Sequence, residues 1–291
     1  MDLSKLKNRA SYPFETIAVA ISFSPRCLPV LAEAKRLADV LNAVLVLIHI
    51  GEKTSEKEQQ LDELMNKIGM SDSQYRVIWM EGEPVETILK LCKLNMVDLL
   101  VLGALEKENV LKFYLGSIAR SISRKAKCSV LLLTNPTNEP RKYKKIVVSG
   151  VENPKTVHTI STAFYFAKHL NAKDVTIVNE MSMPGLTMAI ADDSTAPEAK
   201  EIKKNLNEAT EKKIQSIIEK CDTGGMSVSN KTVKGKPGYA ISKFAKDKKA
   251  DLLTINSPDT HLNLLDRIFT HDIEYILADL PCNLLIVHSR L

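Results

Sequence analysis

Long apolar runs are missing from this chain of 291 residues. Its longest, such as Ala43 to Ile48 and Leu99 to Leu102, fall far short of the roughly 20 residues that span a bilayer. No apolar core of a secretion signal follows the charged and polar stretch Met1 to Ser11, so no membrane partner and a cytoplasmic location are expected. Cysteine is scarce and odd in number: Cys27, Cys92, Cys128, Cys221 and Cys282 never fall in C-x-x-C spacing, which disfavours a disulfide framework and a zinc ribbon alike. None of the six histidines pairs with another His or with Cys at zinc-like spacing, so no metal site is expected. A G-x-S-x-G elbow is absent and no acid–base pair stands out, so no catalytic residue is assigned. The net charge of +5 is spread over the surface without a nucleic-acid reading motif.

What is present is an alternation of strands and helices. With 44% hydrophobic and 26% charged residues, the composition is that of a globular chain. The apolar run Val97-Asp98-Leu99-Leu100-Val101-Leu102-Gly103 reads as a buried parallel strand. After a polar loop, Gly116-Ser117 opens a helix with Ile118, Ile122 and Ala126 on one stripe, and Ser129 to Leu133 is the next strand. A helix start of this kind leaves backbone N–H groups pointing outward, which suits a phosphate. Upstream, Phe14 to Ser22 and Ala43 to Ile50 read as strands around a helix striped by Leu28, Leu31, Ala34, Leu37, Ala38 and Leu41. Tyr75 to Met80 reads as a third strand, and Pro84 suits the first position of the helix after it. Such βαβα order closes into a parallel sheet with right-handed crossovers.

The linker Asn135 to Pro140 breaks the periodicity, and then the pattern starts again. Gly82 and Asp98 are echoed by Gly235 and Asp251, each 153 residues on, and Cys282-Asn283-Leu284-Leu285 repeats Cys128-Ser129-Val130-Leu131. Two tandem domains are expected, 1–136 and 141–291, the second carrying a methionine-rich insertion from about Met181 to Pro197. That insertion reads either as a packed surface loop or as a contact for a protein partner. Cys27, near the start of the first helix, leaves a lowered thiol pKa and a redox role as the minor alternative to a structural thiol.

Duplicated α/β units of this size, with a strand ending in Gly, a loop and then Gly-Ser opening a helix, resemble the universal stress protein family. The resemblance covers about Phe14 to His288. The family's loop has the form G-x2-G-x9-G-[ST]; here Gly103, Glu106, Gly116 and Ser117 stand at those positions, so the spacing is kept and the second glycine is not. What the resemblance implies is an open, mainly parallel five-stranded sheet per domain, flanked by helices. A ligand would bind at the C-terminal ends of the strands. It further implies an adenine-nucleotide site, for ATP or AMP, with Mg²⁺ only if ATP binds. Ser22 stands where ATP-binding members carry an Asp, Ile50 would offer backbone bonds to adenine, and Gly103, Gly116, Ser117 and Ile118 would face ribose and phosphates. Glu106 brings a negative charge towards a polyanion, which Lys107 or a metal would have to offset.

In the second copy the loop positions become Asn256, Asp259, Phe269 and Thr270, and Val151 replaces the first-strand acid, so nucleotide binding is not expected there. Two function classes stay open: a nucleotide sensor in stress signalling, or an interaction module whose sites have decayed. Family members dimerise through their final strands. Ser129 to Thr134 and Asn283 to His288 would then pair within one chain as a pseudo-dimer, and a further homodimer stays open.

Overall fold

The computed structural model describes residues 10–106, 113–140, 142–181, 196–258 and 270–289. The first half runs β1 (Thr16–Ala20), α1 (Cys27–Leu41), β2 (Val44–Ile50), α2 (Ser55–Lys67), β3 (Tyr75–Met80), α3 (Pro84–Leu94), β4 (Leu99–Gly103), β5 (Leu105–Glu106), β6 (Phe113–Tyr114), α4 (Ser117–Lys125) and β7 (Ser129–Leu133). The second half runs β8 (Lys145–Ser149), α5 (Thr156–His169), β9 (Asp174–Met181), α6 (Ala196–Ile218), β10 (Ser227–Lys234), α7 (Tyr239–Lys248), β11 (Leu252–Asn256), α8 (Thr270–Ala278) and β12 (Asn283–Val287).

The five-stranded sheets of the two halves join into one ten-stranded sheet in the order β10-β9-β8-β11-β12-β7-β4-β1-β2-β3. Neighbours are parallel within each half, and β7 and β12 join them as an antiparallel pair. Leu131 faces Leu285 across that join, and the pair has the same separation along the chain as Cys128 and Cys282. The pseudo-two-fold axis therefore passes through these two leucines. Each closes what would otherwise be an apolar edge open to aggregation.

Alternation along the strands explains their unbroken apolar runs. Leu99, Val101 and Leu131 point into a core beneath α1, α2, α5 and α6, whereas Leu100, Leu102 and Leu132 point into a second core beneath α3, α4, α7 and α8. Both cores run through both halves.

One carboxylate device recurs. Asp98 Oδ2 accepts the Glu15 and Thr16 N–H groups at 2.8 Å each, and Asp251 Oδ2 accepts those of Lys144 and Lys145 at 2.8 and 2.9 Å. Each aspartate thus ties the start of its neighbouring strand, which is why the Asp98–Asp251 echo was visible in the sequence.

The seam between halves carries different chemistry on its two faces. On one, Arg124 grips Glu274 with bonds of 2.7 and 2.6 Å, and Arg120 adds one of 3.2 Å. On the other, buried Tyr143 donates to Glu33 at 2.9 Å, Arg36 lies 5.2 Å over the Tyr143 ring, and Phe14 meets Tyr165 and Phe166 edge-on.

The loop before Gly116 is not simply polar: β5 and β6 pair antiparallel within it, Glu106 opposite Phe113. The stripe expected on α4 is also shorter. Ile122 is buried, Ala126 is the C-cap, and Ile118 is 43% exposed. Of the expected insertion, Met181 closes β9 and α6 begins at Ala196; the segment between lies outside the described residues.

Candidate functional site

At the C-terminal ends of β1, β2 and β4 the strands part, and a cavity of about 470 Å³ opens between them and the starts of α1, α3 and α4. Its floor is apolar, from Ala20, Ile48, Ile50, Ile88 and Leu102. Its rim carries Ser22, Ser24, Arg26, Gly103 and the first turn of α4, Ser117 to Ala119. A concave apolar slot with a few converging polar groups is the usual form of a small-molecule site.

Glycine matters at two places here. Gly116 is the N-cap of α4 with extended backbone and no capping side chain, so the first N–H groups of that helix face the rim. A Cβ on Gly103 would meet Val30 Cγ2 at 3.1 Å, so the bare backbone lets β4 pass close beneath α1.

Six of the residues singled out in the sequence, Ser22, Ile50, Gly103, Gly116, Ser117 and Ile118, line this one cavity. The backbone of Glu106 belongs to the β5–β6 hairpin next to it. Lys107 lies outside the described residues. The exposure of Ile118, at odds with a core stripe, follows from its place on the cavity rim.

Two features of the wall were not anticipated. Arg26, the N-cap of α1, turns its guanidinium inward and donates to the Ala104 carbonyl at 3.0 Å and the Thr134 carbonyl at 3.2 Å. A cation at a helix N-terminus opposes the helix dipole, and α1 has no acid in its first turn to offset it. That mismatch was the signal available in the sequence. His49, also in the cavity lining, packs tilted against Phe23 and edge-on against Trp79, with ring centroids 5.0 Å from each, and its Nδ1 lies 3.2 Å from the Ile21 carbonyl. A carbonyl only accepts, so Nδ1 carries the proton and His49 is a packing residue.

Cys27 also lines the cavity, and its setting goes against the lowered-pKa alternative. Burial pushes its thiol up to about 11, because the helix start is covered and the thiolate would lose its solvation. A protonated thiol at neutral pH is a poor nucleophile, which removes the ground for a redox role.

The corresponding place in the second half is built otherwise. Strand registers set Val151 where Ser22 stands, Lys155 for Arg26, Glu180 for Ile50 and Asn256 for Gly103. Glu180 bonds the Gly238 and Ile241 N–H groups at 3.1 and 2.8 Å, so an internal carboxylate already holds the start of α7. Asn256 adds a side chain that bonds Thr156 at 3.2 Å and Thr159. Of the other loop positions, Thr270 begins α8, whereas Asp259 and Phe269 lie outside the described residues. Among the described residues no helix is long and apolar enough to cross a membrane, and no three His, Cys, Asp or Glu side chains group as metal ligands.

Comparison with known proteins agrees with this architecture. The family model described as "Universal stress protein family" matches the chain twice, over residues 13–134 and 142–288. No curated protein matches the sequence. Among solved structures, a putative universal stress protein from Pseudomonas aeruginosa UCBPP-PA14 is similar at 17% identity, with a TM-score of 0.66 over 96% of this chain and 95% of that one. A functionally unknown protein from P. aeruginosa PAO1 is similar at 16% identity and TM-score 0.65, covering 94% and 92%. A universal stress protein from Archaeoglobus fulgidus DSM 4304 is similar at 13% identity and TM-score 0.59, covering 96% and 97%.

Proposed function

From the premise that this chain belongs to the universal stress protein family, we propose that it is a stress-response protein whose first half senses an adenine nucleotide. The observation that carries this is the first cavity: an apolar slot of about 470 Å³ leading to an uncapped helix start. Adenine suits the slot lined by Ile48, Ile50 and Ile88, and a phosphate suits the N–H groups after Gly116. Ser22 offers a hydroxyl to ribose, a weaker partner than an ionised acid. Glu106 adds negative charge to the loop, so a monophosphate such as AMP is favoured over ATP, for which Mg²⁺ would have to offset the charge.

The second half serves as the fixed partner of the pseudo-dimer, because Glu180 and Asn256 use the groups that a ligand would need.

Photolabelling with 8-azido-ATP and 8-azido-AMP, followed by peptide mapping, tests the assignment. Label is expected on peptides covering Ile48 to Ile50 and Gly116 to Ala119, and unlabelled AMP should compete it away. Label confined to the second half, or resistant to AMP, would defeat the sensor reading and leave the interaction module.

A further inference from the structure

Arg26 sits at the end of a hydrogen-bonded chain that leaves the cavity and crosses between the halves. Its guanidinium holds the ends of β4 and β7 through the Ala104 and Thr134 carbonyls. Thr134 in turn donates from its N–H, at 2.9 Å, and from its hydroxyl, at 3.1 Å, to Asn283 Oδ1 on β12. Asn283 Nδ2 donates to the Tyr143 hydroxyl at 2.9 Å, and Tyr143 donates to Glu33 Oε1 at 2.9 Å. Glu33 lies on α1, the helix that Arg26 caps, so the chain returns to where it began. Burial holds the Tyr143 phenol well above its ordinary value, so it stays a donor.

The pseudo-two-fold counterpart of this chain keeps two links, Lys155 Nζ to the Ser257 carbonyl at 3.3 Å and the His288 N–H to the Ser129 hydroxyl at 3.2 Å, and is interrupted beyond them. Phe14, which has no hydroxyl, stands in the place of Tyr143, Thr162 in that of Glu33, and Lys155, with one compact ammonium, in that of the forked Arg26. The link through a buried tyrosine hydroxyl to a carboxylate on a neighbouring helix therefore belongs to the side that joins the first cavity to the second half.

We propose that Arg26 is a positioning residue that couples the first cavity to the seam between the halves. An oxyanion entering the cavity draws the guanidinium off the Thr134 carbonyl and loosens the seam at Asn283 and Tyr143. The two arrangements differ in partner. The Ala104 and Thr134 carbonyls are neutral acceptors, whereas a phosphate would offer the guanidinium charge-assisted, bidentate bonds about twice as strong. Arg26 is thus the bistable element whose equilibrium both sites bias. This inference rests on the reading that the cavity takes a phosphate-bearing ligand.

Hydrogen exchange on the full chain tests it, with AMP as the probe. Without ligand, Tyr143→Phe should speed exchange severalfold at 102–104 and 117–120, on the far side of Arg26. Tyr165→Phe, which removes a seam hydroxyl outside the chain, should leave those amides unchanged. Exchange raised only in peptides containing Thr134, Tyr143 and Asn283, or raised evenly through the sheet, would overturn the coupling. In the wild type, AMP should speed exchange of the Thr134 amide while protecting 117–119, and Arg26→Lys should abolish the first effect. AMP that protects 117–119 and leaves Thr134 unchanged would overturn the coupling alone. AMP without effect anywhere would defeat both the nucleotide reading and the oxyanion step, and the Tyr143→Phe result would still show whether the chain conducts.

Discussion

The five thiols report how closely each part of the chain is packed. Cys27, Cys92, Cys128 and Cys282 are buried, and Cys221 is half-exposed beside Ser161. Ellman's reagent at neutral pH should therefore modify Cys221 alone in the native chain, with the other four reacting only on unfolding, as peptide mapping will show. Cys27 adds a pH dependence. Its pKa rises from 9.0 to about 11 on folding, so between those values the unfolded chain loses the proton first and stability falls as pH rises. Urea midpoints should fall between pH 9 and 11 more steeply in the wild type than in Cys27→Ala. A steeper fall in the variant would contradict the burial of the thiol.

Elements owe their ends to single residues. Asp98 is fully buried and holds two backbone N–H groups of the neighbouring strand start. Asp98→Ala should lower stability by about 3 kcal/mol, the scale of two bonds to a charged acceptor, and Asp251→Ala by less because that site is partly open to water. Lys249 ends α7 with a left-handed φ of 53°. Lys249→Gly relieves that conformation and should raise stability by about 1 kcal/mol in a urea titration. The strand and helix pattern was legible because the central strands, such as β4, β7 and β8, are buried on both faces and each helix turns an apolar stripe to the sheet. The β5–β6 hairpin was not, since two-residue strands such as Leu105–Glu106 carry no period. Arg26 gave only its misplaced charge at a helix start as a signal, since its partners, Ala104 and Thr134, are 78 and 108 residues away.

At the scale of the molecule, the halves are matched to each other and not to themselves. Arg120 and Glu274 occupy equivalent positions about the pseudo-two-fold axis, so pairing two first halves would set Arg120 against Arg120, and pairing two second halves would set Glu274 against Glu274. Glu274→Arg should lower stability by about 1–2 kcal/mol and split the unfolding transition, and adding Arg124→Glu should restore part of the loss. Arg124 holds the Glu274 carboxyl below its ordinary value of 4.5, so this contribution is present above that pH and lost as pH falls through the lowered pKa. The pairing of the final strands followed from the family resemblance, with their apolar sequences suiting a covered edge. That they merge two sheets into one depended on the register of Leu131 with Leu285, which no local pattern encodes.

The central claim is that the first half alone holds a nucleotide site. Calorimetric titration of the intact chain with AMP, ADP and ATP, with and without Mg²⁺, beside Gly116→Glu, tests it most directly. Saturable binding at one site per chain, tightest for AMP and lost in the variant, is the result expected. Two equal sites per chain, or binding that Gly116→Glu leaves intact, would contradict the assignment to the first cavity, and no heat with any nucleotide would contradict the sensor itself.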